Sequence, residues 1–486
     1  MKLGKHIFGV GAMTGISRIF GFIRDMLIAR VLGAGRLSDI FLAAFKLPNL
    51  FRDLLGEGAL SAIFIPMYTT KNKDKNFAQN VFAWLVLVLL GITILFEIFM
   101  PLVIWILAPG FADEPGKMQL TVTISRIMFV YVIFVCGAAF LSAILNALSR
   151  FLLAAFMPVL LNIMLIGALL ASAFYASGTI LYIMAGTVVA SGVIQFGILW
   201  HRIRSRHFGL RLVVPRWTPG VRDLFKRLGI SIIGSGFYQI TIIIGTLVAS
   251  FESGAVSWLY YSDRIIQLPF AMIGLAVGTV LMSSISNALA EKNIRSVHIQ
   301  QNSSTRRSLM LILPCVVGLL VLAEPIIRYL FQYGAWTAAS THAVAMAIQV
   351  QVWVLPAMMI SQIYSKTLYA SQDVKTPVRT SMISLAMASI IYLAGFPFIG
   401  YLAIPVGIVI SGYLKNYLLG RVCRARGLVH HDRRTLRAVA AFSILSAVQG
   451  IGLYFVPITS IWMLGIAICG FAVIYLPIAY IIDRKI

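Results

Sequence analysis

Charge is scarce in this 486-residue chain, and negative charge is scarcer still. Only 12% of the residues are charged, and 40 Lys and Arg stand against 16 Asp and Glu. A soluble surface needs roughly twice that share of charge, at about 25–35%, so a water-soluble protein of this length is excluded. Cysteine is also rare: Cys136, Cys315, Cys423 and Cys469 are the only four. They are scattered and form no CxxC pair, so neither a disulfide framework nor a zinc site is indicated. A Walker-type phosphate loop is missing, which leaves ATP without a site. Short alternating strands are missing too, which argues against a membrane β-barrel. No metal and no cofactor is expected.

Apolar residues are what the chain has. They make up 60% of it, and the mean hydropathy is +0.91. Runs of about 20 apolar residues, each long enough to cross a bilayer, recur from end to end. The expected fold is an all-α polytopic membrane protein with about 14 transmembrane helices. Their expected limits are 8–29, 37–67, 80–107, 120–147, 152–175, 180–201, 228–250, 256–289, 308–331, 340–369, 378–398, 402–422, 438–456 and 460–482. The second and eighth runs are long and contain Pro48 and Pro269. A proline inside a span removes a backbone hydrogen bond and permits a bend. Arg18 and Arg24 interrupt the first run, so it reads as a permanent span and not as a cleavable signal peptide.

The net charge of +24 is not a nucleic-acid signature, because of where it lies. Basic residues crowd every second link: Lys71, Lys73 and Lys75, then Arg202 to Arg216, then Lys292 to Arg307, and so on to Arg484 and Lys485. The alternate links, such as 113–117, 176–178, 252–254 and 457–459, hold almost none. This is the positive-inside pattern, and it puts both termini in the cytoplasm. Anionic membrane lipids are a second expected partner of those basic links. The basic, proline-containing link at 201–227 is the expected internal boundary. Six expected spans precede it, six follow, and two close the chain.

The exceptions to apolarity carry the chemistry. At 100° per residue, Thr14, Ser17, Arg18, Gly21, Arg24 and Asp25 share one face of the first helix. A charged side chain at membrane depth costs at least about 2.5–3.5 kcal/mol, so it is rarely idle. The second run adds Asp39, Lys46, Arg52, Asp53 and Glu57, and the eighth adds Asp263 and Arg264. Two readings stay open for several of these. Arg24 and Asp25 can be an internal ion pair or a ligand site. Arg52 and Glu57 can brace the bend near Pro48, and Lys46 can snorkel to an interface. Arginine is nevertheless in excess over nearby carboxylate. Its fork suits phosphate and carboxylate oxygens and stays charged at any relevant pH, so the expected ligand is an anion.

Several stretches resemble one family. They are Thr14-Gly15-Ile16-Ser17-Arg18, Gly21-Phe22-Ile23-Arg24-Asp25, Phe45-Lys46-Leu47-Pro48-Asn49-Leu50-Phe51-Arg52, Glu57-Gly58-Ala59, Tyr261-Ser262-Asp263-Arg264, Phe331-Gln332-Tyr333-Gly334 and the stretch from Tyr369 to Pro377. The chain is similar in these to the bacterial MurJ (MviN) lipid II flippases of the MOP exporter superfamily. The resemblance implies two six-helix lobes around a central cavity, here 1–215 and 216–427, plus two C-terminal helices, 428–486, that form a groove for a lipid tail. It implies transport of lipid II, the undecaprenyl-diphosphate-linked peptidoglycan precursor, from the inner to the outer leaflet of the bacterial cytoplasmic membrane. It implies diphosphate contacts from Arg18, Arg24 and Arg264, and gating or cavity roles for Asp39, Arg52 and Glu57. Ser17 and Asp25, on the same face of the first helix, are expected in the substrate site, and Asp263, beside Arg264, among the gating or cavity residues. Proteins of peptidoglycan synthesis are candidate partners. One departure concerns ions: the seventh and eleventh runs contain no Asp or Glu, which argues against a carboxylate-built sodium site there.

The competing classes fare worse. A flippase for another polyprenyl-diphosphate-linked glycan shares every feature above and is the nearest alternative. A MATE-like exporter of cationic drugs needs an acidic cavity. An enzyme acting on the same lipid needs a cytoplasmic acidic metal cluster or a histidine set, and the cytoplasmic links are basic. A scaffold without transport leaves the intramembrane charges as an unexplained cost.

Overall fold

The computed structural model describes residues 2–56, 59–71, 73–174, 178–204 and 210–485. Among them every regular element is helical and no strand forms. The helices are α1 (Lys2–Leu32), α2 (Arg36–Phe51), α3 (Ala59–Thr70), α4 (Lys75–Leu107), α5 (Lys117–Phe129), α6 (Tyr131–Ala147), α7 (Phe151–Leu170), α8 (Ile180–Arg204) and α9 (Pro219–Ala249). They continue as α10 (Ala255–Ala290), α11 (Ile294–Phe331), α12 (Ala338–Gln351), α13 (Val354–Ala370), α14 (Lys375–Ile399), α15 (Ala403–Ala425), α16 (Arg433–Tyr454) and α17 (Ile461–Lys485).

Links start helices with side-chain caps. Asp74 accepts from the backbone N–H of Asn76 at 2.9 Å and of Phe77 at 3.3 Å. Thr218, Asn293, Thr337 and Asp432 do the same for α9, α11, α12 and α16. Each such cap is worth about 1 kcal/mol. Among the described residues, eight helical segments are long and apolar enough to cross a membrane, or nine if α12 and α13, bent by 43°, form one span. One of the eight, Lys375–Ala425, contains two of the expected spans. The first, second, seventh and eighth expected spans fall on helices outside that set. The second is broken: α2 ends in a wide π-helical turn at Arg52–Gly56 before α3 begins. Pro48 lies one turn upstream and lacks the N–H that a continuous helix would use.

Large apolar side chains face outward in numbers no aqueous surface tolerates. Ile98 on α4, Ile390 on α14, Ile451 on α16 and Trp462 on α17 are all exposed. Lipid is the solvent such faces match, so the chain is a multi-pass membrane protein.

The chain divides into two compact units, Met1–Val256 with Tyr333–Trp336, and Ser257–Gln332 with Thr337–Ile486. In the first, aromatic rings from α3, α4 and α6 pack together: the Phe64 ring lies tilted 4.8 Å from that of Phe140, and Phe82 stacks on Phe140 at 5.6 Å between ring centres. Helix α9 packs with α3 and α4 in this unit. Residues 333–336 join it because the Ala335 N–H donates to the Arg30 carbonyl at 2.8 Å. In the second unit, α11 packs on α12, α13, α16 and α17. Arg306 on α11 pairs with Asp483 near the end of α17 at 2.9 Å.

Candidate functional site

Of the polar face of α1, only its C-terminal part is buried, while Thr14 and Arg18 are exposed. Ile16, Ile19 and Ile23 are exposed, while Arg24 and Asp25 are only 8% and 2% exposed. Neighbouring residues on a helix do not ordinarily face each other. Arg24 overcomes this by folding its long side chain along the carboxylate. Its Nε and Nη2 both donate to Asp25 Oδ1, at 3.1 and 2.6 Å. The remaining nitrogen, Nη1, donates to Asn162 Oδ1 on α7 at 3.0 Å. Asn162 then donates from Nδ2 to the Ser17 carbonyl at 3.2 Å. Ser17, Arg24 and Asp25 are therefore brought into one network, and Asn162 is its hub. Arg18 points elsewhere on α1 and is exposed. Asn162 was absent from the sequence reading. Its only signal is that it stands as a lone amide in the apolar stretch of α7.

A second network gathers at the α1–α2 end of the first unit. Asp39 and Lys117 are fully buried and pair at 3.1 Å. Lys117 also donates to Glu114 Oε1 at 2.7 Å and lies 4.2 Å from the centre of the Phe111 ring. Asp39 Oδ2 further accepts the Gly254 N–H at 2.8 Å. Burial pushes the Glu114 carboxyl up, but hydrogen bonds from Lys117 and Ser253 and the charges of Lys117 and Arg36 outweigh it and hold it below the usual value. This pairing is fully present above the ordinary glutamate range and is lost as pH falls through the lowered value. Around the network, the last turn of α9 and the residue after it are clamped to α2 and to the turn that follows α4. The Gly110 N–H donates to Ser250 Oγ at 3.0 Å, and Lys46 donates to Thr246 Oγ1. Lys117 is the residue that sequence reasoning passed over, as one stray cation in a poorly charged link.

The clamp is tight enough to specify glycine. A Cβ on Gly110 would sit 2.5 Å from Phe251 Cα, whereas one on Gly91, also in this unit, would meet nothing within 4 Å. Gly110→Ala is expected to destabilise the detergent-purified protein by about 1–3 kcal/mol through overpacking against backbone. Gly91→Ala should leave the thermal midpoint unchanged or slightly raised. Equal midpoints for the two variants would rule out the clamp.

The second unit holds Asp263 and Arg264 on α10. Gln351 Nε2 donates to Asp263 Oδ1, and Ser262 Oγ donates to Gln351 Oε1 at 3.2 Å. Arg264 donates from Nη2 to the Tyr260 hydroxyl at 3.0 Å and lies 4.9 Å from the Tyr260 ring centre. Gln351 and Tyr260 are thus further partners that the sequence did not single out. Arg52 pairs with its neighbour Asp53 at 3.2 Å in the π-helical turn, and both are partly open to solvent. Glu57 lies outside the described residues. No group of three or more potential metal ligands occurs among the described residues.

Arg24 is thus held by a carboxylate and an amide, and Arg264 by a tyrosine hydroxyl. The family model described as lipid II flippase MurJ matches residues 28–472. The chain belongs to the lipid II flippase MurJ family. This is a family of transporters and not of catalytic enzymes. A relative in Rhizobium tropici, a probable lipid II flippase MurJ, is 35% identical over 93% of this chain and 86% of its own. The lipid II flippase MurJ of Burkholderia cenocepacia is 31% identical over 90% of this chain and 87% of its own. A solved structure described as lipid II flippase MurJ in an inward closed conformation shares the fold, with a TM-score of 0.84, 24% identity, and coverage of 98% of this chain and 99% of that one. An inward-facing multidrug resistance MATE transporter of the MOP superfamily also shares it, at a TM-score of 0.69 and 15% identity over 85% of this chain and 94% of that one.

Proposed function

We propose that this chain moves lipid II from the inner to the outer leaflet of a bacterial cytoplasmic membrane by alternating access, supplying cell-wall synthesis. The observation that carries this reading is the family match over residues 28–472, together with arginines placed in apolar helices. The diphosphate is the part of the substrate that Arg18, Arg24 and Arg264 recognise. For Arg24 the exchange is specific. Its fork lies on Asp25, so the diphosphate must displace that carboxylate to be bound. Asp25 is the competitor that reclaims the arginine and drives release. Ser17 and Asn162 keep the helix face aligned during the exchange. Asp263 acts in the same way toward α10, while Asp39, Arg52 and Glu57 belong to the gating elements.

The chain works as two lobes, 1–215 and 216–427, with 428–486 seating the polyprenyl tail. Both termini face the cytoplasm, as the basic links require. No chemistry is performed on the substrate, and proteins of peptidoglycan synthesis receive it. The direction of travel is favourable. Each charge crossing 100 mV is worth about 2.3 kcal/mol, so exporting roughly two negative charges from a negative interior gains about 4–5 kcal/mol.

The test is depletion of the native copy in its host. Lipid II is expected to accumulate in the inner leaflet and growth to stop, and plasmid-borne wild type should reverse both. Arg24→Ala and Arg264→Ala should each fail to reverse them. Normal growth supported by both variants would overturn the reading. Accumulation of a different lipid-linked glycan would favour the alternative substrate.

A further inference from the structure

We propose that the link between α15 and α16 is a strap that acid loosens, with the His431 imidazole as its trigger. Nothing in this depends on the lipid II reading. The link runs over residues 426–432 and lies wholly in the second unit. It is one of the basic links that the charge pattern puts in the cytoplasm. It also ties the α16–α17 pair to the rest of its unit, because α16 begins where the link ends.

The strap is anchored along its length. Helix α15 closes through Gly427, at φ 66°. The Leu428 N–H donates to the Cys423 carbonyl and the Gly427 N–H to the Arg424 carbonyl, both at 2.9 Å. This paired bonding ends a helix through a left-handed residue. Leu428 and Val429 then enter a buried cluster with Tyr364, Leu368, Leu419 and Cys423. Two side chains of α11 hold the strap's carbonyls. His298 Nε2 donates to the Gly427 carbonyl at 2.7 Å, and Asn302 Nδ2 to the His430 carbonyl at 2.8 Å. At the far end Asp432 caps α16 by accepting the Thr435 N–H at 2.7 Å. Between these anchors His431 reaches α13, where its Nε2 lies 2.8 Å from the Tyr364 hydroxyl.

His431 is the anchor whose hold varies with pH. Burial keeps its imidazole below the usual histidine value, the charges of Arg424 and His430 add to this, and Asp432 opposes it. The other charges around the strap are paired: Arg426 with Asp373 at 2.8 Å, and Arg306 of α11 with Asp483 of α17 at 2.9 Å. His298 is a different case. A carbonyl only accepts, so its Nε2 carries a proton whether the ring is neutral or charged, and acid leaves that bond in place. A released strap gives His431 to water, where it takes a proton near the ordinary value of about 6.5. The docked strap resists that proton, so the released form binds more protons just below that value. Docking is therefore at full strength above about pH 6.5 and weakens as pH falls below it. Acidification of the cytoplasm thus frees the joint that carries α16 and α17.

The experiment uses the full chain, purified in detergent. Hydrogen exchange is read by mass spectrometry at about pH 7.5 and about pH 5.5, which bracket a histidine, and corrected for the intrinsic pH dependence of exchange. The amides of the strap and of the first turn of α16 should lose protection at least about threefold on acidification, while those of α12 in the same unit keep theirs. His431→Gln still reaches Tyr364 but takes up no proton, so its strap should be equally protected at both values. Arg424→Gln, at an exposed position on α15, removes one source of the resistance. It should shrink the loss without abolishing it, and it carries the test if His431→Gln does not fold. His298→Gln should lose protection on acidification as the wild type does. The proposal is overturned by equal protection of the wild-type strap at both values, by a loss that persists in full in His431→Gln or Arg424→Gln, or by one that disappears in His298→Gln. An equal loss in α12 would overturn it too, as general unfolding.

Discussion

Lys117→Met is expected to lower the stability of the detergent-purified protein by about 3–5 kcal/mol, the cost of breaking a buried ion pair from one side. Lys117 and Asp39 have no exposure to solvent. Without the ammonium, Asp39 keeps the Gly254 N–H but loses its ion pair with Lys117, and Glu114 loses its hydrogen bond. Glu114 reaches solvent and can be hydrated, whereas Asp39 cannot. The double variant Asp39→Leu with Lys117→Met should recover most of the lost midpoint, because a buried pair replaced by apolar groups is often neutral. On the proposed gating role of Asp39, growth of the depleted host should stay poor with that double variant, which has lost the carboxylate that accepts the Gly254 N–H. Recovery of both stability and growth would reduce the pair to a structural brace. An unchanged midpoint in Lys117→Met would show that the pair is not formed.

Arg24→Lys is expected to cut lipid II transport at least about tenfold, equivalent to about 1.4 kcal/mol, although the charge is kept. Three of the guanidinium's bonds run in two directions, two to Asp25 and one to Asn162. A single ammonium cannot span both and cannot fork onto a diphosphate. Asn162→Leu removes one bond to a charged group, worth about 1.5–3 kcal/mol, and should slow transport partially while lowering the midpoint. Arg24→Ala combined with Asp25→Asn separates latch from ligand contact. The combination removes the carboxylate's charge together with its arginine, so stability should return. Transport should not return, because the diphosphate has lost its fork. Restored transport in that variant would make Arg24 a latch alone.

These two sites were unequally legible. The polar face of α1 is visible in the sequence because charge stands out in an apolar run and helical spacing is regular. Arg24 and Asp25 could be singled out, but their bonding could not. The partner that completes them, Asn162, lies 138 residues away. Lys117 is harder. Its link holds it beside Asp113 and Glu114, where a surface position is the natural reading. Its burial arises only because α2 and the segment after α9 close over it, through contacts spanning 78 residues to Asp39 and 215 residues from Asp39 to Gly254. Pro48 marked a bend in the second run, yet the break came at Arg52–Gly56, where the helix widens instead of stopping at the proline.

By itself, the order of amino acids determined the all-helical membrane class, the runs that become helices, the charged faces and the family. Those properties are local: a helix bonds each residue to one four positions away, and an apolar run seeks lipid wherever it lies. The tertiary structure alone decided which partner each intramembrane charge takes and which charge is buried. Those outcomes depend on helices distant in sequence approaching within hydrogen-bond reach. The polar face of α1 is therefore the sequence's own statement, and the hold of Asn162 and Lys117 on the neighbouring charges belongs to the fold.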